Sequence, residues 1–197
     1  MDKSFVYFKI TSKPKDIKTN DNIFRREYSN KSIFDPDEIT KILGVQPSSI
    51  TRKGGVRKWI APNGEEKSHE YKFSSWTSEK LYEDKNKIDT AQWRGISCLA
   101  IDVIAAFKNK IAELRKIKEL YDVEYCLVFV PFASIEVKIE DNEIIDSCGD
   151  WNPGIHIYQE VVEFCGAVGA SIDIDTYVNL KKYEELTVLP EDGGLDD

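Results

Sequence analysis

The chain has 197 residues and a mass of 22.6 kDa, 41% of them hydrophobic and 31% charged. That mixture excludes a wholly disordered chain, and no apolar run approaches the roughly 18 residues of a membrane-spanning helix. The formal charge is −8, with 27 basic and 35 acidic residues, and it is unevenly spread: residues 121–197 hold 3 Lys and Arg against 18 Asp and Glu.

Residues 4–11, Ser-Phe-Val-Tyr-Phe-Lys-Ile-Thr, are rich in aromatic and β-branched types and predict a first strand. The stretch alternates and is interrupted by Lys9, which does not suit a signal peptide; the expected compartment is the cytoplasm. Residues 12–22 are polar and turn-like and predict a loop, with a second extended piece at 23–29.

Asp35-Pro36-Asp37-Glu38-Ile39-Thr40-Lys41-Ile42-Leu43-Gly44 predicts a short helix. Asp35 suits the N-cap, Pro36 the first turn, Glu38 a capping box and Gly44 a left-handed stop. Asn63-Gly64 lies between Val56–Ile60 and His69–Phe73, which predicts a hairpin. His69, Tyr71 and Phe73 share one face there, so His69 is expected to be a half-buried structural imidazole. Residues 74–94 are polar, with a short helix expected near Ser78–Lys85.

From Ser97 to Tyr121, apolar residues recur at spacings of three and four, from Ala100 through Ile104, Phe107, Ile111, Leu114 and Ile117. They predict one long amphipathic helix. Val123–Pro131 is almost wholly apolar from Tyr125 onward, as in a strand buried on both faces. Ile135, Val137 and Ile139 alternate with charged residues, and Asp141-Asn142 can turn that strand. Cys148–Gly154 reads as a loop. It leads to a helix at about 155–166, with His156 in its first turn and a stop at Gly166 or Gly169. Ala170–Val178 reads as a further strand, with Asp173 and Asp175 on its wet face.

These pieces predict one α+β domain over 1–180 and an acidic tail, partly disordered, over 181–197. The expected sheet is mixed, mostly antiparallel, of five or six strands, with helices mainly on one face. A ferredoxin-like core would run from strand 4–11 through helix 36–43, hairpin 56–73 and helix 97–120 to strand 123–131.

Chemistry is sparse. Cys98, Cys126, Cys148 and Cys165 have no close C-x₂₋₄-C spacing, so free and mostly buried thiols are expected. Cys148 with His156 is the one thiol–imidazole pair worth naming, and Asp146 and Asp150 beside it oppose thiolate formation. Asp173 and Asp175 with Asp146 or Asp150 could gather oxygens around a hard cation, although two Asp on a wet strand face are ordinarily just solvated. Arg52, Lys53, Arg57 and Trp59, around Gly54-Gly55, offer cations, a glycine turn and a stacking ring for an anion or base. No dinucleotide or P-loop motif accompanies them, and no metal or cofactor is expected.

The stretch Pro36–Pro47, the Lys53-Gly54 turn, the Trp-bearing segment, the long helix and Gly166-Ala167-Val168-Gly169-Ala170-Ser171-Ile172-Asp173-Ile174-Asp175 follow a familiar order. The chain resembles the bacterial family catalogued as domain of unknown function 4279, over about residues 4–178. The resemblance implies no established activity and brings no site residues. Some members look like small proteins kept near toxin genes, which implies an immunity role.

The leading expectation is therefore a non-enzymatic protein-binding module, immunity-like, whose acidic surface attracts a basic partner such as a toxin. Asp150, Asp173 and Asp175 would contribute to that surface, with Trp151 as an exposed anchor. A small enzyme with an unrecognised site is one alternative. A nucleotide- or RNA-binding module using the 52–59 hairpin is another, which the acidic C-terminal third disfavours. No membrane partner is expected.

Overall fold

The opening aromatic and β-branched residues form β1 (Phe5–Ser12), the strand around which the rest assembles. The computed structural model describes residues 3–18, 24–83, 95–140, 143–149 and 155–182. Along its whole length β1 pairs antiparallel with β9 (Val123–Val130), from Phe5 opposite Val130 to Ser12 opposite Val123. On its other side β1 pairs with β7 (Ser75–Thr77) and then β8 (Leu81–Tyr82). β4 (Ser49–Thr51) pairs with β7, and β12 (Ala170–Ile174) adds to β9 in parallel.

The order is thus β12-β9-β1-β7-β4, a mixed sheet that is antiparallel apart from its last member. The four strands β1, β4, β7 and β9, taken as first to fourth, lie in the order fourth-first-third-second, which is the ferredoxin-like arrangement. The expected core hairpin is shifted, however. Its inner strands are β4 and β7. The predicted pair, β5 (Val56–Ile60) and β6 (Glu66–Glu70), is the outer end of the same hairpin and forms a separate ribbon exposed at every position.

Residues 74–78 look polar in sequence yet are all buried. Their hydroxyls complete the ladder to β1: the Ser78 hydroxyl accepts from the Phe8 amide at 2.9 Å, and the Ser12 hydroxyl accepts from the Ser74 amide at 2.9 Å. A buried hydroxyl costs little when paired in this way. The same pairing replaces the short helix expected near Ser78–Lys85, because the Ser78 and Glu83 amides donate to Phe8 and Ser4 of the first strand region.

α1 (Pro36–Leu43) forms where its caps predict, with the Asp35 carboxylate accepting from the Asp37 amide at 3.0 Å and Gly44 at φ 65°. Glu38 closes no capping box. Its carboxylate accepts the Tyr121 hydroxyl instead. The long helix expected over 97–121 is two: α2 (Ile96–Ala105) and α3 (Ile111–Leu120), joined through a 3₁₀ turn at Lys108–Lys110. The Phe107 amide bonds back three residues to Ile104, and Lys110 does the same to Phe107. Three-residue spacing preserves the apolar stripe while bending the path. Phe107 is driven inward at the bend, 4.9 Å from the Phe8 ring.

α4 spans Gln159–Val168. Residues 155–158 before it are not helical, with Ile155 and Ile157 both packed on the core, so His156 precedes the helix and is exposed. The strand expected over 170–178 breaks into β12 and β13 (Tyr177–Lys182). The break lies beside Pro131, which separates β9 from β10 (Phe132–Glu140): the Asp175 amide donates to Phe129 and the Tyr177 amide to Pro131. β13 follows β10 in parallel, and β11 (Glu143–Gly149) pairs with β10 antiparallel as the predicted hairpin. Cys148 therefore lies in a strand rather than a loop; the turn at Asp141-Asn142 is outside the described residues. The expected loop at 12–22 contains β2 (Pro14–Lys18), which pairs with β3 (Phe24–Tyr28) and sets Asp16 opposite Arg26.

Each α-helix among the described residues gives side chains to one buried cluster with Val6, Phe8 and Ile10 of β1 and Tyr125, Leu127 and Phe129 of β9. The helices thus lie on one face of the main sheet. Among the described residues no helix is long and apolar enough to cross a membrane.

Candidate functional site

Alternation along β1 sends Val6, Phe8 and Ile10 under the helices and Phe5, Tyr7, Lys9 and Thr11 to the opposite face. Register extends that face across the sheet. Ser49, Thr77, Lys9, Cys126 and Ser171 form one row over five strands. Tyr7, Val128 and Asp173 form part of the next.

The aromatic residues of this face are contiguous with Phe132 and Tyr177, which open β10 and β13 of a separate three-stranded sheet, β11-β10-β13. The Phe5 ring lies 5.9 Å from Tyr7, 5.2 Å from Tyr82 and 6.3 Å from Phe132, and Tyr177 stacks on Phe132 at 5.2 Å with 16° between planes. Tyr82 and Tyr177 are 52% and 50% exposed. The Lys80 ammonium sits 4.7 Å from the Phe5 centroid and 5.5 Å from that of Tyr7, within cation–π range. Asp173 and Asp175 are exposed beside the row. Burial raises the Tyr7 pKa above its ordinary value, and the charges of Cys126, Asp175, Asp173 and Tyr177 add to the rise. Ring faces and carboxylates both attract a cation, and Lys9 and Lys80 lie on the same face.

Nucleophilic chemistry is poorly served. Burial pushes the Cys165 thiol up to about 11 and raises Cys126 too, against a lowering by its bond to Ser171. Cys98, Cys126 and Cys165 are free thiols. Among the described residues no three His, Cys, Asp or Glu side chains are grouped to hold a metal ion.

The residues singled out from sequence separate. Arg52 is held by carboxylates at the start of α1, 2.7 Å from Asp37 and 3.7 Å from Asp35. Lys53 is exposed beside the Gly54 turn. Arg57 lies 6.0 Å from the Trp59 ring, which is 40% exposed, with His69 and Lys67 opposite them on β6. His69 is exposed rather than half-buried, its ring edge-on to Tyr71 at 5.7 Å. The hairpin continues from β4, whereas Asp173 and Asp175 lie at the β12 edge, at the other end of the strand order. Asp150 and Trp151 lie outside the described residues, as do the side chains of Asp146 and Cys148.

Sequence reasoning missed Phe5, Tyr7, Lys80, Tyr82, Phe132 and Tyr177. One signal was present: β1 carries aromatic residues on both faces, where a strand with one wet face ordinarily alternates with polar types.

Two clefts lie elsewhere. One, of about 280 Å³, is lined by Val45, Glu79, Leu81, Asp102 and Phe107 among others. The other, of about 340 Å³, holds Lys13, Lys118, Glu124 and Tyr125. Lys118 there donates to the Gly169 carbonyl at 2.7 Å and lies 4.8 Å from the Tyr125 ring. Burial, then the charge of Lys13, lowers its pKa while Glu124 opposes the shift. Arg115 donates to Ala167 from two nitrogens at 3.1 and 3.2 Å, so these cations serve the carbonyl end of α4.

The model of one family, domain of unknown function DUF4279, matches residues 2–179. The chain belongs to this family. No curated protein and no solved structure matches it. In this DUF4279 chain two of the stretches behind the resemblance are α1 with its Gly44 stop and the passage from the end of α4 through Gly169 into β12. Both are framework, and the second delivers Asp173 and Asp175 to the edge of the sheet face opposite the helices.

Proposed function

We propose that this DUF4279 chain is a non-enzymatic protein-binding module that engages a basic partner through the sheet face opposite the helices and its acidic edge. The observation that carries the reading is the half-exposed aromatic row beside Asp173 and Asp175, on a face the helices leave open. The excess of 18 acidic over 3 basic residues in 121–197 would steer such a partner toward it. Aromatic side chains supply the buried anchors from which interfaces draw most of their energy. An immunity role is the specific form of this reading, with a basic toxin as partner. The free thiols favour a reducing compartment, the cytoplasm. The pairing of Arg52 with Asp35 and Asp37 works against the 52–59 hairpin as a phosphate cradle.

The test is calorimetric titration of the full chain with the product of the adjacent gene. The expected result is a complex that weakens about tenfold between about 50 and about 300 mM salt and weakens again with Asp173→Asn plus Asp175→Asn. Absence of a complex, or one indifferent to salt and to both substitutions, overturns the reading.

A further inference from the structure

The sheet face opposite the helices already carries cations of its own, Lys9 on β1 and Lys80. Lys80 leaves the link between β7 and β8 and lays its ammonium against Phe5 and Tyr7 at 4.7 and 5.5 Å. The row of rings extends beyond it. Phe132 follows Phe5, and Tyr177 stacks on Phe132 with half its surface open. Among the described residues no Lys or Arg lies over Phe132 or Tyr177. Asp173 and Asp175 flank this open part, and both reach Tyr7 electrostatically. An open ring face bordered by carboxylates favours an organic cation over an inorganic one. The ring contributes attraction and apolar contact, and the carboxylates contribute charge.

We propose that Tyr177, Tyr7 and Phe132, with Asp173 and Asp175, form a receptor for one guanidinium or ammonium group of a partner protein, and that Lys80 is a built-in competitor for the same surface. The inference rests on the protein-binding reading only for the owner of the cation. Lys80 has two effects on an arriving cation. It already occupies part of the ring surface, and its charge repels a second cation nearby. Its removal therefore strengthens binding, whereas a merely structural lysine would leave binding unchanged or weaken it.

The experiment is an NMR titration of the full chain with N-acetylarginine methylamide. The isosteric but uncharged citrulline analogue serves as control at matched ionic strength. The expected result is saturable movement of the Tyr177 and Tyr7 ring signals with the arginine probe alone. Lys80→Gln is expected to tighten the arginine probe about threefold. Tyr177→Leu is expected to weaken it by a similar factor. Equal response to the citrulline probe, or a Lys80→Gln chain that binds no better, overturns the receptor. One-dimensional proton spectra of each variant establish that it is folded.

The two readings fail separately. If the arginine probe binds as described but the adjacent gene product does not, the receptor stands and the partner reading falls. If that partner binds both the Lys80→Gln chain and the Tyr177→Leu chain, each made singly, as well as the native one, the partner docks elsewhere and the receptor falls.

Discussion

Tyr121 ends α3 and gives its hydroxyl to Glu38 in the first turn of α1, while its ring lies 6.0 Å from Phe34. The hydrogen bond to Glu38, then burial, then the charges of Glu38 and Asp35 push the phenol from 10.0 up to about 12. A folded-state pKa above the unfolded one means stability that is complete below pH 10 and is lost as pH rises through 12. Tyr121→Phe is expected to cost about 0.5–1 kcal/mol at neutral pH, the value of a hydrogen bond to a charged group after discounting for solvent. The gap between native and variant should hold steady up to about pH 10 and then narrow. Urea unfolding of both chains at a series of pH values reads it directly. Tyr125 and Tyr7 are also raised, but they are common to both chains and cancel in the difference. A gap that widens above pH 10 would contradict the assignment. This contact was not legible in the sequence, because Glu38 three residues after Asp35 matches a capping box just as well. Only the packing of α3 beside α1 decides between the two partners.

At the scale of elements, legibility followed local chemistry. α1 was readable to its last residue because Asp35, Pro36 and Gly44 each act within a turn of the backbone. The join between α2 and α3 was not, because an α-helix and a 3₁₀ turn both repeat apolar residues at three. What distinguishes them is the pull of Phe107 toward Phe8 and Trp76, which lie far off in the chain. The split of 170–178 into β12 and β13 also comes from a distant residue, Pro131 on the neighbouring strand. The end of α4 lies between these cases. Gly169 adopts φ 64°, which local sequence allows, and a Cβ there would fall 2.9 Å from the Lys118 amine, which it does not reveal. Gly44 has nearly the same φ, 65°, but open space around it. Gly44→Ala is expected to cost about 1 kcal/mol for the left-handed backbone alone. Gly169→Ala should cost roughly 0.5–1 kcal/mol more, since Lys118 must give up its bond to the Gly169 carbonyl. Thermal or chemical unfolding of the two variants measures that excess. In a Lys118→Met background the excess should vanish; if it persists, the extra cost arises from something other than Lys118.

At the scale of the molecule, one layer of helices on one face of the sheet explains both the core and the candidate site. The ferredoxin-like order was legible because two helices separate two runs of strands. Which strands it uses was not. The hairpin with the strongest turn signal, Asn63-Gly64, lies at the far end of the β4–β7 unit, because a turn motif reports where a chain reverses and says nothing of where it packs. The buried strand of that unit is β7, whose Ser-Trp-Thr sequence between two further serines looks solvent-loving until its pairing with β1 is known. The aromatic row was illegible for a related reason: its rings come from β1, β8, β10 and β13, and only the packing of the chain brings them together. This division assigns a cost to the outer hairpin. β5 and β6 are exposed at every strand position, so their removal uncovers almost no core. The Tyr71 amide donates to the Gly55 carbonyl at 2.9 Å, a ready closing bond for a tighter turn. Replacing residues 56–70 with Asn-Gly between Gly55 and Tyr71 is therefore expected to lower stability by less than about 1 kcal/mol, or about 2–4 °C in Tm for a chain of this size. The same shortened chain should bind the arginine probe unchanged, because Asp173 lies on β12 at the other edge of the main sheet and Tyr177 on β13, in the separate three-stranded sheet β11-β10-β13. A large fall in Tm would make the hairpin part of the core. Loss of probe binding in a folded chain would move the site to Arg57 and Trp59.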